Sequence, residues 1–169
     1  MQIEEITIRP YQLTDLPYLL EITAEVFGPV SIDLNMETKF GPFGEGDWRS
    51  RKKSAIVLDC EAQPDGVFVA LVGQRVAGYI TTRLNKTSGI GWIPNLAVGS
   101  EFQMRGIGQR LLTHAVNYMR ESGMEIAKIE TLEQNPIGKK LYPAIGFEPV
   151  ATQIHYAMRL TDLDTTINE

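Results

Sequence analysis

The stretch from Asn95 to Leu112 constrains the fold of this chain more than any other part of it. Residues 96–98 form a short, branched apolar run typical of a buried strand, and Gly99-Ser100 closes that run with a turn signal. Beyond the turn, apolar residues recur at helical intervals as far as Met119. The stretch therefore predicts a strand, a tight turn and an amphipathic helix, in that order.

The turn itself has the spacing Q-x-x-G-x-G, formed by Gln103, Gly106 and Gly108. Each glycine in the first turn of a helix costs about 1 kcal/mol relative to alanine. Glycines there leave backbone N–H groups uncovered at the positive end of the helix dipole, which suits a phosphate or pyrophosphate. An ordinary strand and helix, with Ser100 and Gln103 in a capping box, is an equal alternative. A dinucleotide loop is disfavoured, because Leu111 replaces the third glycine of G-x-G-x-x-G.

This strand and its Q-x-x-G-x-G turn resemble the acyl-CoA-binding motif of the GCN5-related N-acetyltransferases, the GNAT family. A second motif follows in the same order as in the family, because Asn135, Leu141-Tyr142 and Gly146-Phe147 are similar to its N…LY…GF signature. The resemblance covers Arg75 to Phe147. It implies a GNAT α/β fold with a mixed, mostly antiparallel seven-stranded sheet, about four flanking helices and a splayed parallel strand pair, in one domain over residues 1–169.

Hydrophobic spacing and turn signals locate the individual elements along the chain. The predicted strands are residues 3–9, 67–72, 76–84, 89–98, 126–132, 147–150 and 153–160. The predicted helices are residues 16–27, 48–61, one after the glycine-rich turn that stops at Gly123, and a short one from Pro136 to Gly146. Asp47 is the predicted N-cap of the second helix, and Asn135 is the predicted N-cap of the last, with Pro136 in its first turn. Pro94 cannot donate to a ladder, so a bulge is expected there.

The resemblance also implies how acetyl-CoA is held, with backbone amides after the strand on its pyrophosphate and its pantetheine arm in the notch between the splayed strands. Because the chain has a net charge of -5, local cations such as Arg110 and Lys140 would have to assist those amides. The residues implied for acetyl-CoA binding are Leu96, Ala97, Val98, Gln103, Met104, Arg105, Gly106, Ile107, Gly108, Gln109, Asn135, Lys139 and Tyr142.

Two residues are candidates for proton transfer in the implied reaction. Tyr142 occupies the family's LY position, where a phenol donates a proton to the departing sulfur, although Pro143 disfavours helical geometry at that tyrosine. The strand ending at Asn95 lacks the glutamate that many members use as base. Glu130 is the alternative base. It lies twelve residues before Tyr142, as the corresponding acid does in the family branch that acetylates ribosomal-protein N-termini. Burial in an apolar strand would raise the pKa of this carboxylate. A surface glutamate paired with Lys128 is the competing interpretation.

The amine acceptor is expected near the Gly- and Pro-rich segment 28–48, which the resemblance associates with the acceptor site and in which we expect one helical turn near residues 35–40. Phe27, Phe40 and Trp48 are the candidate aromatic contacts, and His155 on the last predicted strand is a further candidate for acceptor contact or base. The basic run at residues 49–53 is interpreted as a solvated helix face. His114 and Cys60 are interpreted as packed core residues.

Composition excludes several classes of protein. The acidic balance, with a pI of about 5.1, argues against nucleic-acid and anionic-membrane binding, and no apolar run approaches the length of a membrane span. One cysteine and two histidines are too few for a zinc site, so no metal is expected. We expect a cytoplasmic protein whose partners are acetyl-CoA and an amine, with a homodimer left open by the resemblance.

Taken together, these features predict an N-acetyltransferase that moves the acetyl group of acetyl-CoA to a primary amine of a small molecule or a peptide N-terminus, by direct attack in a ternary complex. The alternative is a non-catalytic acyl-CoA-binding regulatory domain. Absence of the strand carboxylate favours the alternative, whereas Tyr142 and Glu130 favour the enzyme.

Overall fold

The computed structural model describes residues 5–162. Five strands and five α-helices follow one another along this part of the chain, joined in several places by single 3₁₀ turns. The strands are β1 (Ile6–Pro10), β2 (Val67–Val72), β3 (Arg75–Asn85), β4 (Ile90–Val98) and β5 (Ile126–Ile129). The helices are α1 (Leu16–Val26), α2 (Ile32–Phe40), α3 (Trp48–Ala62), α4 (Ile107–Glu121) and α5 (Pro136–Ile145).

The strands form one mixed sheet in the order β1-β2-β3-β4-β5. Neighbouring strands from β1 to β4 pair antiparallel, and β4 pairs with β5 in parallel. The parallel pairing runs only from Ile90↔Ile126 to Ile93↔Ile129, although β4 continues to Val98. Beyond Ile93 the two chains part, so the predicted notch lies between the second half of β4 and the chain that leaves β5.

Helices cover both faces of the sheet, because β2 and its neighbours are apolar on both sides. Phe68, Ala70 and Val72 of β2 pack in a cluster with the apolar face of α4. Val67 and Val69 point the other way and pack with residues of α1 and α3. This strict alternation follows from the two-residue period of a strand. The sheet is thus the middle layer of three.

A β-bulge at Pro94 changes which face of the sheet the end of β4 presents. Opposite Thr82 of β3, strand β4 has two residues, Ile93 and Pro94, so the register shifts there. Ile93 packs with the α4 cluster, whereas Asn95, two residues later, hydrogen-bonds Asp59 of α3 on the opposite face. Without the bulge these two residues would share a face. The bulge predicted from the proline is confirmed.

The prediction of seven strands is wrong for the described chain, because residues 147–160 form no ladder there. After Ile129 the chain turns away from the sheet, and Gln134 donates to the Pro29 carbonyl at 2.7 Å. The last segment is held through a side chain instead, since the Arg159 guanidinium donates to carbonyls at the end of α2 and just beyond it, including that of Pro42 at 3.2 Å. β5 therefore ends at Ile129, shorter than the predicted strand, and is the edge strand here.

One helix is longer than predicted, and two others agree with their predictions and decide points that the sequence left open. The helical turn expected near residues 35–40 is a full helix, α2, whose N-cap Ser31 accepts from the Leu34 amide at 3.4 Å. Helix α4 begins only at Ile107, after a separate 3₁₀ turn, so the earlier start by a capping box does not occur. Helix α5 continues through Pro143 and keeps Tyr142 helical. Within residues 5–162, no helix has the length and apolarity needed to cross a membrane.

Candidate functional site

The loop between β4 and α4 has the backbone geometry of an anion site. Gly106 is the N-cap of α4 in the left-handed region, with φ of 75°, and has no side chain to cap the helix. Arg110 donates the first main-chain bond of the helix, to the Gly106 carbonyl at 3.1 Å. The N–H groups of the three residues before it therefore have no acceptor within the helix. They point along the positive end of the helix dipole, as the sequence predicts.

Glycine at position 108 is not required by packing within the described protein. A Cβ added there would meet only Leu141 Cδ2 at 3.5 Å and Val98 Cγ2 at 3.8 Å, both ordinary contacts. Its backbone is helical, so an alanine would be unstrained and a better helix former. Glycine at this position lowers helix stability but leaves open space beside the first turn of α4. A ligand that closely approaches the backbone needs such space.

The neighbouring residues of the loop leave this space open. Met104 has a φ of 63° and is fully exposed, and Arg105 lies with its guanidinium 5.7 Å from the Phe102 ring centroid. The Gln103 side chain folds back and donates to the Val98 carbonyl at 3.1 Å, which ties the loop to the end of β4. The predicted coenzyme residues 103–106 thus lie in an exposed loop between β4 and α4, whereas Ala97 and Ile107 are buried and could contribute only their backbone.

Tyr142 lies between the end of β5 and the start of α4. Its neighbour Leu141 faces Gly108, and a Cβ at Gly138 would meet the Tyr142 ring at 2.9 Å and the Thr131 hydroxyl at 3.2 Å. Burial raises the pKa of the Tyr142 phenol above its ordinary value, and interaction with the Thr131 hydroxyl opposes part of that rise. The phenol therefore keeps its proton throughout the neutral range, as a proton donor must.

The structure shows local partners for two further residues implied for acetyl-CoA binding, Asn135 and Lys139. Asn135 caps α5, because its Oδ1 accepts from the Gly138 amide at 3.1 Å while its Nδ2 donates to Thr131 at 2.8 Å. Lys139 forms an exposed ion pair with Glu133 at 2.5 Å. The cap and the proline at the first turn of α5 are as predicted.

Glu130 is at the surface rather than buried, which corrects the expected environment of this carboxylate. Its side chain is 54% exposed, just beyond the last residue of β5, and pairs with Lys128 at 2.5 Å. Residues two apart on a strand share a face, which brings these two side chains together. The structure therefore gives Glu130 the contacts of the competing surface interpretation.

The four predicted acceptor residues are not brought together. Trp48 is 5% exposed and packs against Gly28, so it anchors segment 28–34 instead of lining an open wall. Phe27 and Phe40 are partly buried at the ends of α1 and α2. His155 is exposed in the extended segment 153–160, and the strand expected to bring it beside Glu130 is not formed in the described chain.

A buried polar network that sequence analysis did not identify joins α3 to the bulged part of β4. Lys52 Nζ donates to Asn95 Oδ1 at 2.8 Å, and Asn95 Nδ2 donates to Asp59 Oδ2 at 2.6 Å and to Thr81 Oγ1 at 2.9 Å. Asp59 in turn accepts from Arg83 Nε at 3.0 Å. Asn95 is 3% exposed and Asp59 is 8% exposed, so each needs these partners.

The amine of Lys52 has an apolar neighbour as well as polar ones. Its Nζ lies 4.4 Å from the Phe27 ring centroid. Burial lowers the pKa of Lys52, and the carboxylates of Asp59 and Asp33 oppose that shift. The sequence carried a signal for this position, since Trp48, Ile56 and Cys60 form the buried stripe of α3 and Lys52 falls on the same stripe at four-residue spacing.

One cavity of the described residues lies elsewhere, beside the start of α1 and the 3₁₀ turn that follows β4. It has a volume of about 760 Å³, is lined by polar residues such as Asp15, Glu21 and Arg75, and includes none of the predicted site residues. We assign the site to the notch and the start of α4, because the unbonded amides and the parted strands are there. Within residues 5–162, no cluster of three or more His, Cys, Asp and Glu residues is arranged to hold a metal ion.

Comparison with known proteins identifies relatives of this arrangement. The model of a family described as the acetyltransferase (GNAT) family matches residues 32–147. A mycothiol acetyltransferase of Rhodococcus jostii is 26% identical over 162 residues, which are 91% of this chain and 49% of that protein. An N-acetyltransferase of Haemophilus ducreyi named for the alanine of ribosomal protein bS18 is 34% identical over 62 residues, 37% of this chain and 43% of that one.

Solved structures share the same fold. The PaiA N-acetyltransferase of Thermoplasma acidophilum, in complex with coenzyme A, superposes with a TM-score of 0.69 at 19% identity, over 88% of this chain and 93% of that chain. At this identity the likeness concerns the fold alone. The chain spans about half the length of the two mycothiol acetyltransferases that it matches over nine-tenths of its own length, with 49% and 50% of those proteins covered.

Proposed function

Because this chain belongs to the acetyltransferase (GNAT) family, we propose that it transfers the acetyl group of acetyl-CoA to a primary amine of a small molecule or of a peptide N-terminus. The observation that carries this proposal is the helix start at Gly106 to Gly108, where amides without helical partners and unfilled space adjoin a notch in the sheet. Transfer would occur by direct attack of the amine in a ternary complex.

The residues around the helix start fit the cosubstrate proposed for them. The amides of residues 107–109 would hold the pyrophosphate, with Arg105 as a nearby exposed cation. The parted backbone between β4 and the chain beyond Ile129 would take the pantetheine arm. The remaining predicted contacts, Gln103 and Asn135, would act mainly by fixing the walls, because their side chains already bond Val98 and Gly138.

Two groups would serve the transfer directly. Backbone amides near Val98 would stabilise the oxyanion that forms when the amine adds to the thioester carbonyl. The Tyr142 phenol would give its proton to the sulfur as the carbon–sulfur bond breaks, and its raised pKa keeps that proton available. Glu130, the base predicted from sequence, stays a prediction, and its ion pair with Lys128 favours a surface role instead.

A turnover assay with a panel of amines tests the proposal. The wild-type chain is mixed with acetyl-CoA, and release of the free thiol is followed with spermidine, single amino acids, an amino sugar and alanine- or methionine-initiated peptides. We expect at least one acceptor to stimulate thiol release well above the acceptor-free rate. Binding of acetyl-CoA, measured separately by calorimetry, shows whether an inactive sample still has its cosubstrate site.

A non-catalytic acyl-CoA-binding regulatory domain is the second candidate function. It is favoured by Asn95, which stands at the place on β4 where many family members carry a base. The Asn95 side chain is neutral, and both of its amide hydrogens are used in bonds to Asp59 and Thr81. Tight binding of acetyl-CoA without release by any acceptor in the panel would establish this second function and overturn the first.

A further inference from the structure

The bulge in β4 aims Asn95 at the helical layer formed by α1 and α3, on the face of the sheet opposite α4. There its side chain is fixed, because both amide hydrogens have acceptors, on Asp59 and on Thr81. The amide oxygen is left with a single donor in the described chain, the Lys52 amine at 2.8 Å. Asn95 therefore holds Lys52 beside the part of β4 beyond Ile93, which has no β5 partner and borders the proposed notch.

Lys52 is unusual for a lysine in the middle of a helix, since it is directed inwards between α1 and β4. The ring of Phe27 lies 4.4 Å from Nζ on the α1 side. The charged groups that influence it from the elements around it are Asp59 of α3 and Asp33 of α2. Arg83 of β3 adds a positive charge to the network, because its Nε donates to Asp59 Oδ1 at 3.0 Å. This environment removes water from the amine without giving it a carboxylate in direct contact.

A second group on this face lacks a partner. Trp92 pairs across the strands with Arg83, whose side chain contacts Asp59 of α3, so Trp92 also presents its side chain to the α1 and α3 layer. Its indole N–H is buried and has no hydrogen-bond partner among the described residues. Buried donors are nearly always satisfied by protein, water or ligand, so this N–H offers a bond to a molecule bound here.

We propose that Lys52, held by Asn95 and flanked by Phe27, is the proton acceptor for the incoming amine, and that this face of the sheet beside the notch is the acceptor site. The inference deepens the proposed function and rests on it. It also accounts for the missing strand carboxylate, since Asn95 orients a base that comes from α3.

The proton balance of the step is complete with the groups named. In its deprotonated form, which burial favours, the Lys52 amine takes one proton from the ammonium of the acceptor, and this frees the nitrogen lone pair to form the new carbon–nitrogen bond. Tyr142 protonates the sulfur as the carbon–sulfur bond breaks, and the second proton lost by the new amide nitrogen returns to the phenolate through water. Lys52 then releases its proton to solvent, so one proton is produced per acetyl group transferred.

The test compares four variants in the amine assay, using every acceptor that the wild-type chain acetylates. Lys52→Met removes the base, Lys52→Arg keeps the charge but cannot accept a proton, and Glu130→Gln removes the competing base. Lys53→Met, one residue along the same helix, is the matched control. Thermal unfolding and the Kd for acetyl-CoA verify that each variant is folded and binds its cosubstrate.

We expect kcat to fall about 100-fold or more in both Lys52 variants and by much less in Glu130→Gln, with the Kd for acetyl-CoA unchanged and with Lys53→Met close to wild type. The wild-type rate should rise with pH through a limb below the ordinary lysine range, and that limb should be absent in Lys52→Arg. Full activity in Lys52→Arg, or equal rates in the two methionine variants, would overturn the inference while leaving the enzyme intact. A wild-type chain that acetylates nothing would instead overturn the proposed function.

Discussion

At the scale of single residues, environment rather than residue type separates the candidate proton-transfer groups. Tyr142 is enclosed by Gly138, Thr131 and Phe147, whose ring lies 6.3 Å from its own, and this enclosure raises its pKa. Glu130 is exposed and paired with Lys128. Buried titratable groups are the ones that enzymes adapt to proton transfer, so the environment of Tyr142 supports our proposal that it is the acid.

Substitution of Tyr142 by phenylalanine tests that role directly. We expect kcat to fall by about 100-fold, because the departing sulfur loses its proton donor, while the Kd for acetyl-CoA stays the same. Because the raised pKa belongs to a group that acts when protonated, Tyr142 should not limit the rate at low and neutral pH, where the rising limb assigned to Lys52 is expected. The alkaline fall of the rate should come only as the pH rises through the elevated pKa of Tyr142. Steady-state rates over pH and calorimetry measure the two quantities.

The matched control is Tyr156→Phe, which removes the same hydroxyl from a tyrosine that is 90% exposed. It should leave both kcat and Kd unaltered. An unchanged rate in Tyr142→Phe would exclude its phenol from the reaction.

At the scale of elements, the two glycines at the start of α4 lower the stability of the helix and leave its first turn uncovered by side chains. Gly106 is needed by the backbone, because its φ of 75° belongs to the left-handed region. Gly108 is helical and would tolerate a Cβ within the protein, so its lack of a side chain benefits only what binds there. Glycine is thus favoured at these two positions for different physical reasons, backbone conformation at Gly106 and open space at Gly108. The spacing of the motif alone does not distinguish them.

Replacing Gly108 by alanine should therefore change stability and binding in opposite directions. Better helix propensity should add up to about 1 kcal/mol to the free energy of unfolding, which raises Tm by about 2–4 °C in a chain of this size. The added methyl group should displace the pyrophosphate from the amides and raise the Kd for acetyl-CoA about tenfold or more. Differential scanning calorimetry and isothermal titration calorimetry give the two numbers.

Thr113→Ala is the control for this variant, since Thr113 is exposed on the same helix and away from its first turn. It should raise Tm slightly without affecting the Kd. Parallel behaviour of the two alanine variants in both measurements would mean that no ligand approaches Gly108.

At the scale of the whole molecule, the sheet is held between two helical layers, and one ion pair fixes the first strand to the first helix. The Arg9 guanidinium binds both oxygens of Asp15, at 2.7 and 2.8 Å, and the Gln12 amide donates to the same carboxylate at 2.8 Å. Asp15 is 4% exposed. The bond from Arg9 lowers the pKa of Asp15 against the opposing effect of burial.

Asp15→Asn should lower the free energy of unfolding by about 2 kcal/mol at neutral pH, since it leaves the partly exposed Arg9 without its charge partner. The depressed pKa stabilises the fold above the ordinary aspartate value, and this contribution is lost as the pH falls through the folded value. The difference between wild type and Asp15→Asn should therefore shrink in acid. Urea denaturation at neutral and acidic pH measures it, with exposed Asp65→Asn as control.

The core between α3 and the sheet should also protect the single cysteine of the chain. Cys60 is 4% exposed, and burial with nearby Asp59 raises its pKa to about 11. Its thiolate is thus scarce below that value, and we expect almost no reaction of the native protein with a disulfide reagent at about pH 8. One equivalent should react in concentrated guanidinium chloride. Rapid reaction of the native protein would contradict this packing.

The sequence by itself determined the parts of this protein that local chemistry controls. The apolar runs specified the strands of the central sheet and the spacing of α1, α3 and α4, and the bulge was predictable because Pro94 cannot donate to a ladder. Asp47 and Asn135 specified the starts of α3 and α5, because each caps its own nearby amides. The glycine-rich turn and its open amides followed from residues close together in the chain.

Only the tertiary structure decided the features that depend on residues far apart. Whether the last segment adds strands to the sheet depends on competition with Arg159 and α2, and whether Trp48 lines a cleft depends on Gly28 packing against it. The chain at Lys52 looks like a charged helix face, and its partner Asn95 is more than forty residues away. Burial and long-range pairing set the protonation of such a side chain, because the free energy of a charge depends on everything that replaces its water.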